Sequence, residues 1–171
     1  MKETWSKVTR NSYGSFWRVN DWMELKHDDF SHPDYTETPP PVETFQHGIP
    51  CDWDEDTQAW VLEPTAYASW KSGEWEALMH EHIFQYWGIA SQNSLQAHYL
   101  LAADEGRADI QAEIKTIWQW IQSCVAYWRS KVAELESAQD PTSVTWDIET
   151  ACPEPEGGLP RLSDIVAMWI E

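Results

Sequence analysis

Three groups of residues in this sequence have types and spacings from which chemistry could be built: His80-Glu81-His82, the acidic run Asp54-Glu55-Asp56, and the cysteines Cys51, Cys124 and Cys152. The first invites a metal. On a helix, however, residues two apart point roughly 200° away from each other and cannot chelate one ion together. A zincin pattern needs two histidines four apart, and position 84 is Phe. His82 therefore reads as an aromatic side chain on a helix face. The acidic run invites calcium, but the usual loop needs a central Gly and a distal bidentate Glu, and both are missing. A solvated turn fits better. The cysteines show neither CxxC nor metal-finger spacing and are too few for a disulfide framework, so a reducing compartment is expected. Cys124 falls inside a helical pattern and reads as a small hydrophobe. No nucleophile elbow, phosphate loop or dinucleotide fingerprint occurs. The sequence thus predicts no catalytic residue, no metal and no cofactor, and the chain is read as a non-enzyme.

Binding is what the composition favours. Thirteen of the 171 residues are Trp, spread from Trp5 to Trp169. One small core does not need so many, and Trp is enriched where a rigid aromatic face meets a partner. The formal net charge is −18. It is unevenly placed: residues 1–20 carry +3, residues 21–63 carry −11, residues 64–106 carry −4, residues 107–139 are neutral, and residues 140–171 carry −6. Such a charge opposes nucleic-acid and anionic-membrane binding and favours a basic partner. No apolar run reaches membrane-spanning length, and the N-terminus has no apolar block of the signal-peptide kind.

The element that must position these residues is a long helix over 107–138. Ile110, Ile114, Ile117, Ile121, Val125, Trp128, Val132 and Leu135 recur at threes and fours, close to a coiled-coil seam. Nothing breaks the run until Pro141. Trp118 widens the stripe, and Trp120 and Tyr127 lie off it. The helix reads equally as a core helix or as one that packs on another chain.

The remainder divides into a mixed segment 1–30, an acidic Pro-rich arm and hairpin 31–63, a helical domain 64–139 and a C-terminal tail 140–171. In the first, Trp5–Val8 and Phe16–Val19 are expected as extended pieces around a turn, and Asp21–Leu25 as a helical turn. Pro33, Pro39, Pro40, Pro41 and Pro50 predict an extended arm without regular helix, held mostly by a partner chain through Tyr35 and Phe45. Trp53 and Trp60 flank a polar turn and predict a small hairpin. Pro64–Trp70 is expected as a short turn, Glu74–Trp87 as a helix ended by Gly88, and a second helix, capped by Ser91 or Asn93, should lead through a turn at 104–106 into the long one. The tail should hold a short extended piece at 143–146 and a last helix capped by Ser163. The fold expected is mainly α: a helical hairpin or small bundle around one long helix, with an extended arm and a small β-hairpin.

Two segments resemble known proteins. Pro39–Pro64 leads from prolines into Trp53-Asp54-Glu55-Asp56-Thr57-Gln58-Ala59-Trp60, similar to a W-[DN]-E-x-T-x-x-W hairpin of bacteriophage tail-fibre, tail-assembly and virion accessory proteins. Trp120–Ile148 resembles the ending of tail-assembly chaperone-like domains, on Tyr127, Arg129, Val132, Leu135, Pro141, Val144 and Trp146, with Trp128 between Tyr127 and Arg129 and Asp147 where that pattern has Pro. The resemblance implies a phage structural or assembly protein, built in the host cytoplasm and carried on the virion. It would bind tail, baseplate or fibre subunits and form a homo-oligomer, with no nucleic acid or membrane as partner. The interface residues expected are Tyr35, Phe45, Trp53, Trp60, Trp118, Trp120, Ile121 and Trp128. Two other readings stand beside it. One is an acidic mimic of nucleic acid that inhibits a host defence protein, against which the neutral long helix argues. The other is a carbohydrate-binding module, against which the low β content argues.

Overall fold

The computed structural model describes residues 16–18, 24–25, 35–36, 38–54, 56–155 and 158–170, with side chains described from residue 38 onward. The chain is mainly helical with a small antiparallel hairpin. It forms two compact units, 1–70 and 71–171.

In the first unit, strands β1 (Phe16–Arg18), β2 (Glu24–Leu25) and β3 (Tyr35–Thr36) form an antiparallel sheet in the order β2-β1-β3. The partner expected for 16–19 at Trp5–Val8 lies outside the described residues. Glu24 and Leu25, expected in a helical turn, are instead a strand paired with Trp17 and Phe16. Tyr35 takes an edge position, the place in a sheet that a proline-rich segment tolerates.

The arm is not extended throughout. Helix α1 runs from Val42 to His47, with Pro41 at its N-cap and Gly48 at its C-cap with φ of +69°. The prolines at 39–41 stop short of the helix and Pro50 follows it, so none removes an internal hydrogen bond. Gly48 takes the left-handed conformation that ends helices, closing on the carbonyls of Glu43 and Thr44. Thr44 and Ile49 are buried, Ile49 to 3% exposure, whereas Phe45 is 51% exposed. The arm is therefore held in part by its own unit, with Thr44 and Ile49 buried in it.

Strands β4 (Cys51–Asp54) and β5 (Ala59–Leu62) pair antiparallel with Trp53 opposite Trp60. Helix α2 then runs unbroken over Pro64–Tyr86. The turn and separate helix expected here are one element. Pro64 sits at its first position, where a missing N–H costs nothing. The Glu63 carboxylate accepts the amides of Thr65 and Ala66 at 3.1 and 2.6 Å. Gly73 costs about 1 kcal/mol in a helix interior, which the buried Tyr67, Trp75 and Met79 to either side offset by packing.

The second unit packs the rest of α2 with α3 (Ile89–Asp104) and α4 (Ala108–Ser137). Gly88 stands at the N-cap of α3, three residues ahead of the earlier of the two caps expected, and the Gln92 side chain donates to the Trp87 carbonyl at 2.7 Å to fix the corner. Gly106, with φ of +71°, turns α3 into α4, and the Arg107 amide returns to the Ala102 carbonyl at 2.8 Å. A side chain there would strain the turn.

Ile110, Ile114, Ile117 and Cys124 of α4 have no exposed surface. A straight helix returns to one face every 3.6 residues, so Cys124 falls on the line from Ile110, and Val125 lies one step round it. Val125 is half-buried as a result, and Ile121 is half-buried as well. Against this line pack Met79 and Ile83 of α2, Trp87 just beyond its end, and Leu95 and Ala102 of α3. Residues 140–171 complete the same core: Ile148 of α5 (Ile148–Ala151), Cys152, Leu159, and Ile165 of α6 (Leu162–Ala167) are all buried in it. The extended piece expected at 143–146 is preceded by a 3-10 turn at Pro141–Ser143, capped by the Asp140 carboxylate. Helix α6 is capped by Asp164, whose carboxylate accepts the Arg161 amide at 2.7 Å, rather than by Ser163.

Arg107 joins the chain's end to the start of α4. Its guanidinium grips Asp109 in two hydrogen bonds of 3.1 and 2.8 Å, donates to the Met168 carbonyl at 2.6 Å, and lies over the Trp169 ring. The Trp169 indole in turn donates to Nδ1 of His98 on α3. The Arg107 hydrogen bonds hold the Asp109 carboxyl at about 2, below the ordinary 3.8. Because the folded value is the lower one, this pair contributes stability above pH 3.8 and loses it as pH falls towards 2. In a carboxyl NMR titration, Asp109 should show a midpoint near 2 in the wild type. In Arg107→Gln the midpoint should move back towards the ordinary value, and the amides of 168–170 should exchange faster.

Candidate functional site

Two arrangements, one in each unit, present side chains to solvent in a fixed geometry. The first is the hairpin. Trp53 and Trp60 meet across the strands with ring centres 5.2 Å apart at 71°, an edge-to-face pair. The turn holds itself: the Asp54 carboxylate accepts the Asp56 amide at 2.9 Å and the Thr57 hydroxyl at 2.6 Å. Those two bonds, that from Thr57 first, lower the Asp54 pKa and keep it ionised. Gln58 adopts φ of +53°, the position where such a turn commonly carries Gly or Asn. The Trp60 indole donates to the Thr38 carbonyl at 2.8 Å, tying the start of the arm to the hairpin. Both indoles are half-buried, and Asp56, Thr57, Gln58 and Val61 are exposed around them.

The second is a cleft of about 350 Å³ in the helical unit. Leu78, Glu81, His82 and Gln85 of α2 form one wall, and residues 146–149 form the other. Aromatic packing builds that second wall. Trp146 stacks on Trp75 of α2 at 5.2 Å and 19°, and lies 5.0 Å from Tyr127 of α4. The Tyr127 hydroxyl accepts the Asp147 amide at 2.9 Å. Asp147 then caps α5, accepting the Thr150 amide at 3.1 Å, and the Thr150 hydroxyl and amide lower its pKa. Facing it, His82 is 6% exposed, packed against Trp120 and Tyr86, with Nε2 3.0 Å from the Cys152 carbonyl.

His80 and His82 fall on different sides of α2, His80 exposed beside Phe84 and His82 buried. Cys124 and Cys152 are buried neighbours, and burial first, then Cys152, pushes the Cys124 thiol up, away from the thiolate a nucleophile needs.

Of the expected interface residues, Trp53 and Trp60 come together in the hairpin. Phe45 is exposed on α1, and the side chain of Tyr35 lies outside the described residues. Trp118 is half-buried, its ring 4.9 Å from Tyr99. Trp128 is half-buried and donates to the Ser72 carbonyl at 3.3 Å. Ile121 edges the core. Trp120 is corrected to a core residue: it is 6% exposed, meets Tyr86 edge-to-face, and donates to the Pro153 carbonyl at 2.9 Å. The tail that covers it was not expected to fold back onto α4. The cleft itself was missed, because its walls are some sixty residues apart in the chain. Its only sequence signal is the Trp146-Asp147-Ile148-Glu149 run after Pro141.

Tyr127→Phe removes the acceptor of the Asp147 amide while leaving the ring stack. It should cost about 0.5–1.5 kcal/mol by urea unfolding, with faster exchange at Asp147 and unchanged exchange at Ile114. No protein-family model matches this sequence, and no curated protein or solved structure is detectably similar to it.

Proposed function

We propose that this chain is a bacteriophage virion structural or assembly protein that docks onto tail, baseplate or tail-fibre subunits, with the acidic aromatic hairpin as its docking element. The observation that carries the reading is the Trp53–Trp60 pair. It is half-exposed, locked by its cross-strand contact and by the bond to Thr38, and carried on strands joined by a turn that includes Asp54 and Asp56. A rigid indole pair loses little entropy on binding, and large aromatic anchors dominate interface energies. The same segment carries the resemblance to tail proteins, which supports the phage assignment. The acidic surround suits a basic partner patch and favours fast association.

The experiment is to purify particles and assembly intermediates produced from the encoding genome and to quantify the chain in each. The wild-type chain should co-sediment in fixed ratio with one of them. Trp53→Ala/Trp60→Ala should reduce that at least about tenfold with the helical circular dichroism unchanged. A wild-type chain absent from every particle and intermediate would overturn the reading.

Self-association is the companion proposal, supported by the half-buried Trp118, Ile121 and Val125 along α4. Sedimentation equilibrium should show an oligomer for the wild type. Ile121→Asp, which places a charge in that stripe, should give a folded monomer. A wild-type monomer at all concentrations removes this proposal and leaves the docking one standing.

A further inference from the structure

The cleft between α2 and residues 146–149 is edged by carboxylates, two of which have no side-chain partner among the described residues. Glu81 and Glu149 make no hydrogen bond or ion pair among the described residues. Asp147, the third carboxylate, is engaged with Thr150 at its cap. No lysine or arginine lines the cleft.

The buried histidine adds an independent observation. A carbonyl oxygen only accepts, so the contact with Cys152 places the His82 hydrogen on Nε2. In the neutral ring Nδ1 is then an acceptor, and no described group donates to it. Nor is Nδ1 sealed in, since Thr44 Oγ1 is the only enclosed side-chain polar atom without a partner among the described residues. The small exposed part of His82 belongs to the cleft wall. A nine-tenths-buried side chain in the wall of a space edged by three carboxylates thus keeps one ring nitrogen unpartnered among the described residues.

The fitting ligand carries positive charge and several donors. An ammonium offers a strongly hydrated point charge. A guanidinium is more weakly hydrated and offers five N–H donors in one plane, suited to several carboxylates and a ring nitrogen at once. Leu78, Ile148 and Trp146 supply apolar surface for the three-methylene stem behind such a group. We infer that this cleft receives an arginine side chain of a basic partner protein. The inference rests on the reading of the chain as a docking protein, and assigns it a second contact distinct from the hairpin.

The test uses the full chain, labelled with ¹⁵N, titrated with N-acetyl-L-arginine amide and, separately, with N-acetyl-L-lysine amide. The arginine probe should give saturable shifts at the Trp146 indole and at the amides of 81–85 and 147–149, with affinity at least about fivefold above the lysine probe. Glu81→Gln and Glu149→Gln alter exposed side chains and leave the fold intact, and each should weaken the arginine probe severalfold. Three results would overturn the inference: no saturable shift at the cleft, equal affinity for the two probes with shifts scattered over the acidic surface, or unchanged affinity in both variants. Particle association without cleft shifts would sink this inference alone. Cleft binding without particle association would sink the docking reading and keep the arginine site.

Discussion

The line of fully buried side chains on α4, from Ile110 through Ile114 and Ile117 to Cys124, is the constraint on which the helical unit depends. Helix α2, helix α3 and the segment 140–171 all close on it with buried apolar side chains of their own. The long helix has no surplus of charge of either sign, so it can accept packing on several sides without enclosing an unpaired ion. Charge is placed elsewhere: on the hairpin turn, on α2 beside the cleft, and along 140–171. Net acidic charge is therefore kept off the long helix of the second unit.

Aromatic side chains serve in three ways, set by what surrounds them. Trp75, Trp87 and Trp120 are enclosed and act as core. Trp146 is a joint: stacked between Trp75 and Tyr127, it holds the turn that forms one wall of the cleft. Trp53 and Trp60 are held rigidly and left half-open. The indole N–H groups of Trp60, Trp120, Trp128 and Trp169 each find an acceptor, so burial of these rings leaves no polar orphan.

Much of the fold was legible in the sequence. The long helix was expected over 107–138 and runs over 108–137, because Gly106 and Pro141 bracket a strong period and nothing interrupts it. The hairpin was legible because its pattern is local: two indoles, a polar turn and a proline at each end. What failed depended on distance or on averaging. Proline density over 31–50 suggested an extended arm, yet the prolines leave 42–47 free, and a helix forms there between Pro41 and Gly48. Trp120 read as an outward residue because nothing in α4 announces that Pro153 will lie over it. Of the candidate site, the indole pair could be read, whereas the acceptor-lined cleft could not. His82 lines it from α2 and is held there by a carbonyl seventy residues away.

Two indole pairs among the described residues have an optical consequence. Transition dipoles of neighbouring indoles couple when the rings lie about 5 Å apart, and the sign and shape of the resulting exciton signal depend on the angle between them. The pair in the first unit, Trp53 and Trp60, is nearly perpendicular, and the pair in the second, Trp75 and Trp146, is nearly parallel. The two units therefore carry different built-in chromophore couplings. The second coupling exists only while residues 140–171 are seated on the helices, so circular dichroism of the unlabelled chain follows that seating separately from the closing of the hairpin.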